Sequence, residues 1–131
     1  MFTTLQTIAL VLTLSVPGAG LTPEKEPYSP ERFKALQADG ALIVLDVFAD
    51  WCPTCAKQQE VLAAYRKAHP DVKLHVLEID FDTDKKAVRE FRAPRQSTLI
   101  LYKGERQLWF SVAETRENVI FDALNRAAAV Q

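Results

Sequence analysis

Two cysteines, Cys52 and Cys55, sit three positions apart where an apolar run gives way to a helical pattern. Residues 41–49 are almost wholly apolar (Leu42, Ile43, Val44, Leu45, Val47, Phe48), the pattern of a strand buried on both faces, and Asp46 interrupts it. Pro53 then opens a helical stretch to about residue 68, with Cys55, Leu62, Tyr65 and His69 at near-helical intervals. A strand covered on both faces needs helices in two layers, so the architecture expected is α/β. A disulfide closing so short a loop adds little stability, and its value lies in opening and closing.

The rest of the chain alternates in the same way. Ser29-Pro30 reads as an N-cap and first helical residue, with Phe33 and Leu36 at helical spacing until Asp39-Gly40. Residues 72–79 read as a strand, and Asp82-Thr83-Asp84 as the cap of a short helix through Phe91. Residues 98–102 and 107–112 make an antiparallel hairpin around Lys103-Gly104-Glu105-Arg106. Thr115 is expected to cap a last helix with a stripe of Val119, Ile120, Ala123, Leu124 and Ala127. The expected sheet is central and mixed, of about four strands, with helices on both faces.

With 16 basic against 17 acidic residues and 25% charged positions, the 131-residue chain is one globular domain with no polycationic surface for nucleic acid. Residues 1–20 carry no charged side chain, and an apolar run of roughly 12 residues ends in Pro17-Gly18-Ala19-Gly20. That run is shorter than the about 20 residues a membrane-spanning helix needs, and it reads as a signal peptide cleaved near Gly20, with retention as an anchor the alternative. Residues 21–28 then read as a linker and 29–131 as the folded domain. The destination is the periplasm or the exterior.

The string Leu45-Asp46-Val47-Phe48-Ala49-Asp50-Trp51-Cys52-Pro53-Thr54-Cys55 resembles the thioredoxin family, and the resemblance runs from about Ser29 to Ala128. Trp51-Cys52-Pro53-Thr54-Cys55 is also similar to the motif of periplasmic thioredoxins that serve cytochrome c maturation as reductants. The resemblance implies a thioredoxin fold, a protein-disulfide reductase without cofactor or metal, and a monomer acting on protein disulfides. In an oxidising compartment it would need an upstream membrane thiol-transfer protein as electron donor.

The chemistry also follows from position. Cys52 occupies the N-cap of a helix, where the free amides of Thr54 or Cys55 and the helix dipole favour a thiolate, which makes it the nucleophile. Cys55, one turn inward, is the resolving thiol. Asp46, in an apolar strand, should have a raised pKa and, as the resemblance implies, relay a proton to Cys55. The register expected beside it places Val76 there, with no cation near. By the same resemblance Trp51, Pro53 and Thr54 border the substrate, together with the backbone at Gln96 and Ser97.

The pattern breaks in three places. Ser97 stands where the family has a cis-proline, Glu60 where it has a helix-kinking proline, and no glycine occurs near Val112. A cis bond without proline costs about 2.5–4 kcal/mol, so the Gln96–Ser97 bond is expected to be trans, with the Ser97 hydroxyl turned to the Cys52 sulfur. Lys85 to Arg95 is a basic stretch that reads first as a solvated helix face, with a docking role for Arg92 and Arg95, in the loop leading to the active site, as the alternative. Two readings compete with a reductase: a disulfide donor or isomerase, and a non-catalytic module that holds metal or a partner on its thiols.

Overall fold

The computed structural model describes residues 24–131, so the expected leader at 1–20 lies outside the described residues. Five strands and four helices follow in the order β1 (Glu26–Pro27), α1 (Pro30–Ala38), β2 (Leu42–Phe48), α2 (Pro53–Ala68), β3 (Leu74–Asp80), α3 (Lys85–Glu90), β4 (Thr98–Lys103), β5 (Arg106–Val112) and α4 (Glu117–Ala128). The strands form one mixed sheet in the order β1-β3-β2-β4-β5. β2 pairs parallel with β3 and antiparallel with β4, which makes it the central strand. This is the thioredoxin fold. Among the described residues no helix is long and apolar enough to cross a membrane.

Alternation along the strands builds two cores. Leu42 and Val44 face α2 and α4 with Val61, Leu62, Tyr65, Leu74, Val76, Leu99, Leu101, Ile120 and Leu124. Ile43, Leu45 and Val47 face the other way, against Phe33 and Leu36 of α1 and Ala87 and Val88 of α3. Asp46 belongs by parity to the α2/α4 face, so its carboxyl is buried beneath the helix that carries both cysteines.

Local side-chain caps start α1 and α3 but not α4. Ser29 caps α1 by accepting from the Arg32 amide at 3.1 Å, with Pro30 in the first turn. Asp84 alone of the Asp82-Thr83-Asp84 triplet caps α3, at 3.1 Å from the Ala87 amide, and the helix stops at Glu90 rather than Phe91. The preceding turn is held by Asp80, whose Oδ1 accepts from the amides of Asp82 and Thr83. Thr115 does not cap α4. The N-cap is Arg116, without a side-chain hydrogen bond, and burial of Ile120, Leu124 and Ala127 places the helix instead.

A fifth strand lies inside the stretch read as a linker. Glu26 and Pro27 pair parallel with Leu77 and Glu78, and the Tyr28 amide donates to the Glu78 carbonyl at 2.9 Å. Two residues including a proline give no strand pattern in sequence, and at a sheet edge the missing N–H costs nothing. The hairpin closes on Gly104, which has φ 57° and lies so near α1 that a β-carbon would stand 3.4 Å from the Gln37 carbonyl oxygen and from Gly40 Cα.

Candidate active site

β2 delivers the chain to Asp50-Trp51 at its carboxyl end, and α2 begins at Pro53 with Cys52 as its N-cap. Cys52 and Cys55 form a disulfide, with Cα atoms 5.3 Å apart. The Cys55 amide donates to Cys52 Sγ at 3.1 Å, so of the two amides expected to serve this sulfur it is the second that does. Cys55 is fully buried and Cys52 4% exposed. The outer sulfur is therefore the one a substrate can reach. Pro53 is exposed and Thr54 half-buried on the first helical turn. Trp51 is 60% exposed, yet its indole N–H donates to Asp82 Oδ2 at 2.8 Å, which fixes the ring beside the cysteines.

Ser97 comes to the cysteines from the loop before β4. Its Oγ lies 3.1 Å from Cys52 Sγ and 3.3 Å from Cys55 Sγ, and the residue is fully buried. The peptide bonds of the described residues are all trans, Gln96–Ser97 included. Ser97 has φ 67°, and its N–H donates to the Val47 carbonyl at 2.8 Å. Proline meets neither condition, because its ring holds φ near about −65° and it has no N–H. The serine is thus built into a loop path of its own, and a proline placed here would break it. Gln96 is half-buried beside it.

The missing glycine has a counterpart in Ala113, directly after Val112, with φ 58°. Its amide donates to the Ser97 carbonyl at 2.9 Å. Two non-glycine residues in the left-handed region are thereby hydrogen-bonded to each other next to the disulfide, at a cost of about 1–2 kcal/mol each. Gln58 fastens the same loop: its buried amide nitrogen donates to the carbonyls of Ser97 at 3.0 Å and Glu114 at 2.9 Å. Gln58 is not among the candidate site residues named from the sequence. The signal was there, since it lies on the helical stripe of Cys55, Leu62 and Tyr65, and a polar side chain on a buried stripe needs partners.

Asp46 is fully buried and its Oδ2 accepts a hydrogen bond from the side-chain Nε2 of Gln59, four residues and one turn after Cys55. Its other oxygen, Oδ1, has no hydrogen-bond partner. Burial and then the nearby Glu78 carboxylate raise its pKa, the Gln59 hydrogen bond and Lys25 pull against them, and the carboxyl ends at about 7. The residue facing Asp46 is Glu78, not the expected Val76, which lies opposite Val44. Packing sets this register: Leu74 and Val76 join Leu42 and Val44 in one core, which carries Glu78 to the level of Asp46. A cation is near after all. Lys25 Nζ stands 2.6 Å from Glu78 Oε2, an ion pair by distance though not aligned as a hydrogen bond, and 4.4 Å from the centre of the Phe48 ring.

Arg92 and Arg95 are exposed beside this loop, Arg92 with φ 54°. Among the described residues no three His, Cys, Asp or Glu side chains cluster as a metal site would need.

A cysteine pair at a helix start, one sulfur accessible and one buried, over a buried acid titrating near neutrality, defines a thiol–disulfide oxidoreductase of the thioredoxin class. The chain belongs to the thioredoxin family, whose model matches residues 25–126. A thioredoxin from Chlamydia trachomatis serovar D is 32% identical over 84 residues, covering 64% of this chain and 79% of that one. An H-type thioredoxin from Brassica campestris is 30% identical over 88 residues, covering 67% and 70%. The crystal structure of Trxlp from Edwardsiella tarda EIB202 is similar with a TM-score of 0.70 and 40% identity, over 75% of this chain and 95% of that one.

Proposed function

We propose that this oxidoreductase works as a reductant of protein disulfides in an oxidising, extracytoplasmic compartment, reached by cleavage near Gly20 and supplied with electrons by a membrane thiol-transfer protein. It acts as a monomer, since one chain carries the whole dithiol site. Cys52 attacks the substrate disulfide, Cys55 resolves the mixed disulfide, and Asp46 takes the Cys55 proton as that thiol attacks. Trp51, Pro53, Thr54 and the Gln96–Ser97 backbone border the substrate.

One observation carries the direction. Among the described residues the polar groups that meet Cys52 Sγ are neutral, the Cys55 N–H and the Ser97 hydroxyl, each at 3.1 Å, and the position after Pro53 is Thr54. A cation there would stabilise the thiolate strongly and make the disulfide oxidising. Neutral donors do so only modestly. The apolar stretch at residues 1–20 supports the compartment.

Equilibration of the Cys52–Cys55 couple against dithiothreitol or glutathione tests the direction. A potential below about −220 mV supports a reductase, and one near about −120 mV makes the protein a disulfide donor instead. That second reading has its own support in the Ser97 hydroxyl, a thiolate partner added to the helix amide. N-terminal sequencing of the protein recovered from the cell envelope tests the cleavage.

A further inference from the structure

The Ser97 side chain reaches both sulfurs, 3.1 Å to Cys52 and 3.3 Å to Cys55, and one hydroxyl has one proton to give. Its backbone is held on both sides: the N–H by the Val47 carbonyl at 2.8 Å, the carbonyl by Gln58 Nε2 at 3.0 Å and the Ala113 amide at 2.9 Å. The oxygen is therefore fixed in a buried site while its proton is free to turn. In the disulfide neither sulfur carries hydrogen, so the hydroxyl donates. In the dithiol the geometry allows a chain in which Cys55 S–H donates to Ser97 Oγ and Ser97 O–H donates to the Cys52 thiolate.

We propose that Ser97 is a fourth catalytic residue of the exchange reaction, its hydroxyl donating a hydrogen bond first to the Cys52 thiolate and then to the Cys55 thiolate. The Cys52 sulfur attacks one substrate sulfur, the substrate disulfide breaks, and the other substrate sulfur leaves as a thiolate that is protonated from solvent. Cys52 is now neutral in the mixed disulfide and no longer holds the hydroxyl. As Cys55 gives its proton to Asp46, the Ser97 O–H turns to the new thiolate. Cys55 then attacks Cys52 Sγ, the Cys52–substrate bond breaks, and the second substrate sulfur leaves as a thiolate that recovers a proton from solvent, to which Asp46 returns its own. Two electrons pass from the dithiol to the substrate. Run backwards, the same steps serve a disulfide donor, so the proposal stands apart from the direction of electron flow.

Two variants separate the hydroxyl from the loop. Ser97→Ala removes the hydroxyl and keeps the β-carbon in the left-handed region, whereas Ser97→Gly removes it and relieves that backbone. Stability should therefore be higher in the glycine variant than in the alanine one. The Cys52 pKa, followed by thiolate absorbance against pH, should rise by about one unit in both. Resolution of a preformed mixed disulfide at Cys52 should slow about tenfold in both, a rate effect of the same size. An unchanged Cys52 pKa in either variant, or changes of opposite sign that follow the melting temperatures, would overturn the role. A rise in pKa with unchanged resolution would overturn the hand-over to Cys55.

Discussion

Glu78 stands directly beside Asp46 across the parallel pairing of β2 and β3, so that two carboxyl groups share one face of the sheet under α2. The inner one is fully buried and the outer one is paired with Lys25. The acid under the cysteines thus answers to a charge pair partly supplied by the segment before β1.

Asp46 titrates at about 7 in the fold against 3.8 for an ordinary Asp, so the native state binds its proton more tightly than the unfolded chain. The stabilisation is fully present below about pH 3.8 and is lost as pH rises through about 7. Asp46→Asn should therefore be more stable than the wild type at pH 8, by at most about 4 kcal/mol on the full shift, and the gap should close toward pH 4. Denaturant titrations at the two pH values measure it.

The same substitution removes the proton acceptor proposed for Cys55. In the wild type, resolution of the mixed disulfide should accelerate as pH rises through about 7. In Asp46→Asn it should be slower by about 10²-fold at neutral pH and lack that inflection. An unaltered inflection in single-turnover kinetics would take Asp46 out of the mechanism.

Glu78→Gln takes away the charge that raises Asp46, and Lys25→Met takes away one that lowers it. The inflection in resolution rate should move to lower pH in the first variant and to higher pH in the second. Equal shifts of one sign would mean that both changes act through packing rather than charge.

Cys52→Ser should abolish exchange, while Cys55→Ser should accumulate stable mixed disulfides through Cys52, because only the second keeps the accessible thiol. Mass spectrometry of each variant after incubation with a disulfide-bonded protein distinguishes them. Mixed disulfides at Cys55 would reverse the assignment.

Ala113 holds a left-handed conformation that glycine adopts without penalty, and its amide anchors the Ser97 carbonyl. Ala113→Gly should raise stability by about 0.5–1 kcal/mol, the relief of strain less the entropy glycine loses on folding. The urea midpoint should rise with an unchanged m-value. Activity should hold, since the hydrogen bond to Ser97 is a backbone one.

Much of this protein was legible in the chain because the signals are local. The apolar run with one acid gave the central strand, Ser29-Pro30 gave a cap, and the spacing of Cys52, Pro53 and Cys55 put a sulfur at a helix start. Each rests on neighbours within a turn or on strict alternation, which sequence displays directly. The trans bond at Ser97 and its hydroxyl turned to the sulfur were legible too, from the cost of a cis bond without proline.

What the tertiary structure decided depends on pairings between residues far apart. Register between β2 and β3 follows from how Leu74 and Val76 pack, so Glu78 rather than Val76 came to lie beside Asp46. Lys25 reached that pair through a two-residue edge strand too short to leave a pattern. The reach of Ser97 to both sulfurs depends on a loop held by Val47, Gln58 and Ala113, which are 50, 39 and 16 positions away. Local propensity names the groups that can do chemistry, and long-range packing sets which of them meet and at what charge.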